Sequence, residues 1–106
     1  MEDEPQEVAL AAVFGALAND DRLAIIRALG ERPEPLTVTA LAAAVGISRF
    51  SASRHLRVLC EAGVVRATRC GQAILHRLAE SGLAPIEDWL YPLLVRQEQG
   101  LADATA

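Results

Sequence analysis

A mainly α-helical domain carrying one small β-hairpin, with four helices, two strands and a closing helix, is the fold class this sequence predicts. Three observations carry that prediction. The stretch from Thr37 to Gly63 reads as a short helix, a glycine corner and a second helix. Directly after it the apolar period changes from helical to strand-like over two β-prone runs. Both ends of the chain carry apolar residues three and four apart, the spacing of a helix stripe. With 106 residues there is room for one core, and 52% hydrophobic against 4% aromatic residues points to a core of Ala, Leu, Val and Ile.

The elements follow in order. Residues 1–4 lack periodicity and are expected to fray. A first helix over about 5–18 places Leu10, Val13, Phe14 and Leu17 on one stripe. Asn19 or Asp20 caps a second helix that runs through Leu29 and is ended by Gly30, and Glu31-Arg32-Pro33-Glu34-Pro35 is a loop. Thr37 caps a short helix through Val45, because its hydroxyl can accept from backbone N–H groups that have no partner in the first turn. Gly46 ends that helix in the left-handed conformation that glycine adopts without steric cost, and Ser48 caps the next.

At about 100° per residue, Ala52, Leu56, Leu59 and Gly63 fall on one side of that helix. Phe50, Ser53, Arg54, Arg57 and Glu61 fall on the other, with His55 and Cys60 between them. One side packs and the other is offered outward. Gly63 is the expected residue just past the helix end. The runs Val64–Arg69 and Ala73–Leu78, separated by Cys70-Gly71-Gln72, predict a hairpin with the glycine at positive φ. Leu83, Ile86, Trp89, Leu90, Leu93 and Leu94 mark a last helix over about 83–99, with Pro85 at its start and Pro92 predicting a kink or break near Tyr91. Residues 101–106 are expected to fray.

Charge is unevenly distributed. The chain carries −4 overall, which taken alone argues against a nucleic-acid partner. Between Gly46 and Leu78, however, Arg49, Arg54, Arg57, Arg66, Arg69 and Arg77 stand against Glu61 alone, a local charge of +5. A basic segment that coincides with the helix–corner–helix pattern predicts a surface for duplex DNA, while the acidic remainder limits indiscriminate sticking. Arg66 and Arg69 precede the hairpin tip and are placed to reach phosphates beside the groove.

Several motifs in order strengthen this: Phe14-Gly15-Ala16-Leu17-Ala18-Asn19-Asp20-Asp21-Arg22-Leu23, Leu36-Thr37-Val38-Thr39-Ala40-Leu41-Ala42, Gly46-Ile47-Ser48, Ser53-Arg54-His55-Leu56-Arg57-Val58-Leu59 and Ala62-Gly63-Val64-Val65. Over residues 10–78 the chain resembles the ArsR/SmtB family of winged helix-turn-helix repressors. The resemblance implies a small bacterial homodimer that blocks transcription at an operator and leaves it when a metal, an oxidant or another signal arrives. It implies a DNA-reading part over about 37–78 and dimerisation helices at the two ends, with Leu10, Val13, Phe14, Leu17, Leu83, Ile86, Trp89, Leu90, Leu93 and Leu94 at the dimer interface. A two-fold dimer presents its recognition helices to successive major grooves, so a palindromic operator is expected.

The resemblance places Ser48 to Arg57 at the recognition helix and Arg66, Arg69, Gly71 and Gln72 on the wing. Ser48, Arg49, Phe50, Ser51, Ser53, Arg54 and Arg57 are then the expected contacts of the helix. Two positions depart from the family pattern. Phe50 stands where a small or polar residue is common, and either touches thymine methyls or covers a neighbouring helix. Cys70 stands where an acidic residue precedes the wing glycine.

The family's metal-responding members use a cysteine pair in the helix before the corner, or His and acidic residues along the last helix. Thr37–Val45 holds no cysteine, and the last helix offers Glu87, Asp88 and Glu98 without a histidine, a poor cage for a metal that favours thiolate or imidazole. His55 is expected to pack or contact phosphate, and His76 lies on the second strand. Cys60 and Cys70 are the only thiols, and the arginines beside Cys70 favour thiolate, which makes it a candidate for oxidation, though an inert thiol is the other reading. The signal is then an inducer of the protein's own, or comes through a non-standard metal or redox site, using Cys60/Cys70 or the acidic residues of the last helix, or through a partner protein. No Ser/His/Asp order, phosphate loop or catalytic carboxylate pair suggests an enzyme, and no cofactor is expected. Without an apolar run of membrane-spanning length or a signal sequence, a cytoplasmic protein with no membrane partner is expected.

Overall fold

The computed structural model describes residues 6–105, with side chains over residues 10–100. Its elements are α1 (Gln6–Leu17), α2 (Asp20–Gly30), α3 (Val38–Val45), α4 (Arg49–Glu61), β1 (Val65–Cys70), β2 (Ala73–Leu78) and α5 (Ala84–Thr105). The order and the mainly helical class are those the sequence predicts. The fraying expected of residues 1–4 and 106, and the start of the first helix at residue 5, lie outside the described residues.

Local chemistry sets the helix boundaries. Asn19, not Asp20, caps α2 by accepting from the Arg22 N–H at 3.0 Å. That helix includes Gly30, expected to end it, and closes instead on Glu31, whose N–H reaches the Arg27 carbonyl. Thr37 caps α3 through Ala40, Gly46 ends it at φ 83°, and Ser48 caps α4 by accepting from Ser51 at 2.9 Å. Each such cap is worth about 1 kcal/mol. Gly63, at φ 81°, turns the chain out of α4 and into β1; it is exposed, so the packed side of α4 ends at Leu59.

The core gathers Ile25, Ala28 and Leu29 of α2, Leu41 of α3, Leu56 and Leu59 of α4, and Val64 and Val65 at the start of β1. Val13 is only 6% exposed and packs into this core with Ala16, which removes it from the unpartnered stripe expected of α1. Leu17, Leu83 and Ile86 also pack half-buried against the core. The remaining residues of the two terminal stripes behave differently. Phe14, Trp89, Leu90, Leu93 and Leu94 stay exposed together with Tyr91, and Phe14 meets Trp89 edge to face at 5.7 Å. Leu10 is half-buried.

β1 and β2 pair antiparallel from Val65 opposite Leu78 to Cys70 opposite Ala73. Cys70 therefore closes the ladder, and the turn is Gly71-Gln72 alone, with Gly71 at φ 65° in the first position, where a tight hairpin favours glycine. A third, short segment was not legible in the sequence: Leu36 bridges to His76 through backbone bonds of 2.9 and 2.7 Å, so β2 is held between β1 and the entry to α3.

α5 runs as one helix through Pro92 to Thr105, so of the kink or break expected near Tyr91 the break is absent, and residues 101–105, expected to fray, are helical. Proline fits helical φ and deprives only the Asp88 carbonyl of its donor. Asp88 is exposed, where water can satisfy that carbonyl. At the root of α5, Gly82 is buried, and a Cβ there would meet the carbonyl oxygens of Gly63 and Val64 at 2.9 Å. The Val64 carbonyl accepts from Ala79 at 2.9 Å, so the link from β2 to α5 lies directly on the corner between α4 and β1. Because backbone would have to move, Gly82→Ala is expected to cost about 1–3 kcal/mol in a urea titration; an unchanged midpoint contradicts the close approach.

Candidate nucleic-acid interface

The rotation of α4 decides which side chains it offers. Ala52, Leu56 and Leu59 are at most 3% exposed and seat the helix against the core. Their burial turns Arg49, Phe50, Ser53, Arg54 and Arg57 outward, while Ser51 is half-buried. The Ser48 hydroxyl accepts the capping bond and keeps its proton to donate outward. The guanidinium of Arg54 lies 5.7 Å from the centre of the Phe50 ring, a cation–π distance. Arg57 meets Glu61 one turn on at 3.5 Å. Both are exposed, so the pair contributes only about 0.3–0.5 kcal/mol and opens readily.

His55 belongs to a separate task. Its side chain is 15% exposed, with Nδ1 3.2 Å from Arg22 and Nε2 3.6 Å from Asp21. Arginine can only donate, so in the neutral ring Nδ1 accepts and Nε2 carries the proton, facing the carboxylate. Arg22 also donates from Nε to the Ala16 carbonyl at 2.6 Å. Between packing and phosphate contact, the geometry selects packing: His55 ties α4 to the corner between α1 and α2. His76 is 7% exposed, and its Nδ1 lies 3.0 Å from the Leu36 carbonyl oxygen beside the backbone bridge. Sequence reasoning gave no partner to either histidine, because both partners lie far away along the chain.

On the wing, the alternation of strand side chains separates the two predicted arginines. Arg66, Thr68 and Cys70 share a face with Arg77, Leu75 and Ala73, while Arg69 lies on the opposite face with Ile74, at the outer end of the row that runs back to the buried His76 and Val65. Arg66 and Arg69 therefore leave the ladder on opposite faces, although both border one depression at its side. Directly opposite Arg66 stands Arg77, which the sequence-based site left out; once the strand register is known, Arg77 follows at once. A depression of about 470 Å³ on this wing is lined by Arg66, Arg69, Arg77, Cys70 and Glu80 among others. Gly71 and Gln72 are exposed at the tip. The arrangement supplies fixed cations and hydroxyls along one helix and one hairpin, suited to a polyanion.

Among the described residues, no three His, Cys, Asp or Glu side chains converge to hold a metal, and no helix is long and apolar enough to cross a membrane. Comparison with known proteins adds independent findings. A family model described as a helix-turn-helix domain matches residues 17–67. The HTH-type transcriptional regulator NmtR of Mycobacterium tuberculosis is 36% identical over 86 residues, spanning 81% of this chain and 70% of that protein. An ArsR-like transcriptional regulator from Rhodococcus sp. RHA1 superimposes with a TM-score of 0.75 at 26% identity, covering 92% of this chain and 91% of that one. The homodimeric winged helix-turn-helix DNA-binding domain of Mb0332 from Mycobacterium bovis, a possible ArsR-family regulator, does so with a TM-score of 0.68 at 26% identity, covering 92% and 93%.

The two thiols differ in character. Cys60 is half-buried on the flank of α4, and burial, followed by the negative charge of Glu61, pushes its pKa above the ordinary thiol value. Cys70 is exposed at the end of β1. The thiolate is the reactive form. Iodoacetamide at neutral pH is therefore expected to label Cys70 about tenfold faster than Cys60, read by peptide mass spectrometry; equal rates would contradict the burial of Cys60.

Proposed function

Because this chain belongs to the ArsR/SmtB family of winged helix-turn-helix transcriptional regulators, we propose that it is a homodimeric, sequence-specific DNA-binding repressor, cytoplasmic and without catalytic activity. One observation supports this above the others: a buried row on α4 holds its arginines and serines outward as a set. Ser48, Arg49, Phe50, Ser51, Ser53, Arg54 and Arg57 enter the major groove, where the first turn of a recognition helix meets base edges. Arg66, Arg69, Gly71 and Gln72 of the wing, joined by Arg77, hold the flanking phosphates. The segment from about residue 37 to residue 78 reads DNA.

The terminal helices serve the dimer. Phe14, Trp89, Leu90, Leu93 and Leu94, with Leu10 at the edge, form an apolar stripe that a second copy would cover. A two-fold pair matches a palindromic operator. For the signal, α3 holds no cysteine and α5 no histidine, so the donor sets of the family's metal-responding members are missing from their usual helices. Release by a route other than those metal cages follows, with a partner protein on the acidic surface as one source.

A gel shift on the promoter DNA of its own gene tests both parts. Arg54→Ala is expected to weaken binding by about 1–3 kcal/mol and relax specificity at one operator position. Arg69→Ala should weaken all sequences alike and lower the salt slope by about one. Adding Ni²⁺ or Zn²⁺ should leave the complex intact; release by either metal would overturn the proposal about the signal, and absence of any shift would overturn the DNA reading.

A further inference from the structure

Phe50 is 72% exposed, more than any other large hydrophobic side chain among the described residues. A ring serving as cover for a neighbouring helix would be buried, so the structure removes that reading. Instead the ring stands in the first turn of α4 among Arg49, Ser53 and Arg54, on a face whose other members are polar. Building on the DNA-reading function proposed above, we infer that Phe50 is a specificity residue that reads the 5-methyl group of thymine. That methyl is the bulky apolar group on the major-groove edge of the base pairs; apart from the small C5–H of cytosine, the groups beside it are hydrogen-bond donors or acceptors. An uncovered phenyl ring loses no polar contact by meeting it, whereas opposite a cytosine amine or a guanine carbonyl it leaves a desolvated polar group unpaired.

Arg54 strengthens the assignment. Its guanidinium lies 5.7 Å from the ring centre, one helical turn further along. The contact orders two side chains that otherwise swing freely in solvent, and sets an arginine, which pairs bidentately with guanine, about 6 Å along the helix from the methyl reader. The half-site is accordingly expected to place a thymine within a base pair or two of a guanine.

The test begins with selection of bound duplexes from a random-sequence library by the native protein, then replaces each thymine of the enriched half-site in turn with uracil, which lacks only the methyl. Binding is measured at low salt, so that phosphate contacts keep weakened variants bound. At one thymine position per half-site, uracil is expected to weaken the native protein about fourfold, the worth of one buried methyl group. Phe50→Ala should be indifferent to that same replacement, with an unchanged thermal melt because the ring is exposed. Equal sensitivity of the native protein and Phe50→Ala at every thymine overturns the inference and leaves the DNA-reading function standing. Failure to enrich any duplex overturns that function and this inference with it.

Discussion

Everything this domain presents outward depends on how α4 is turned about its own axis. Ala52, Leu56 and Leu59 are buried at the intervals of one helical face, and Ile25 and Leu41 meet them from the neighbouring helices. A rotation of one residue, about 100°, would bring Ser53 and Arg57 into the core and expose leucines. Desolvating a guanidinium without a partner costs several kcal/mol, so the packed arrangement is strongly preferred. The His55–Arg22 contact adds a directional constraint that apolar packing lacks. Orientation of the arginine face is thus a by-product of core formation.

Electrostatics act on a second scale. The chain is acidic overall, yet among the described residues only Arg57, of the arginines of α4 and the wing, has a close carboxylate, in Glu61. Such a surface carries unspent positive potential, while the rest of the molecule repels a polyanion. Opposed arginines at positions 66 and 77 make the point locally: like charges directly across a strand pair are unfavourable until an anion settles between them.

What the sequence made legible was local. The caps at Thr37 and Ser48, the left-handed glycines at 46, 63 and 71, and the buried row of α4 each depend on a few neighbouring residues, and all of them appear where their chemistry put them. Features set by distant partners stayed hidden. The Leu36–His76 bridge spans 40 residues and the Arg22–His55 contact spans 33, and nothing in either neighbourhood announces the other. Val13 shows a subtler limit: the first stripe is apolar on more than one side, so periodicity could not say which members its own core would claim. Pro92 does not break α5, because on an exposed helix the one carbonyl it leaves without a donor is open to solvent. On the wing, the place of Arg77 opposite Arg66, and the depression these two border with Arg69, depend on the strand register and so could not be read from either strand alone.

The seat of Gly82 carries a mechanical meaning. With 22 residues, α5 extends about 33 Å beyond the joint at Gly82, where Leu83 and Ile86 pack half-buried against the core. A tilt of about 10° at that joint sweeps the far end through about 6 Å, more than one turn's rise of the helix. The joint rests on the carbonyl oxygens of Gly63 and Val64, the two residues that lead from the end of α4 into β1. The root of the long helix and the exit from the arginine-bearing one are thus a single contact, with no room for a methyl group between them.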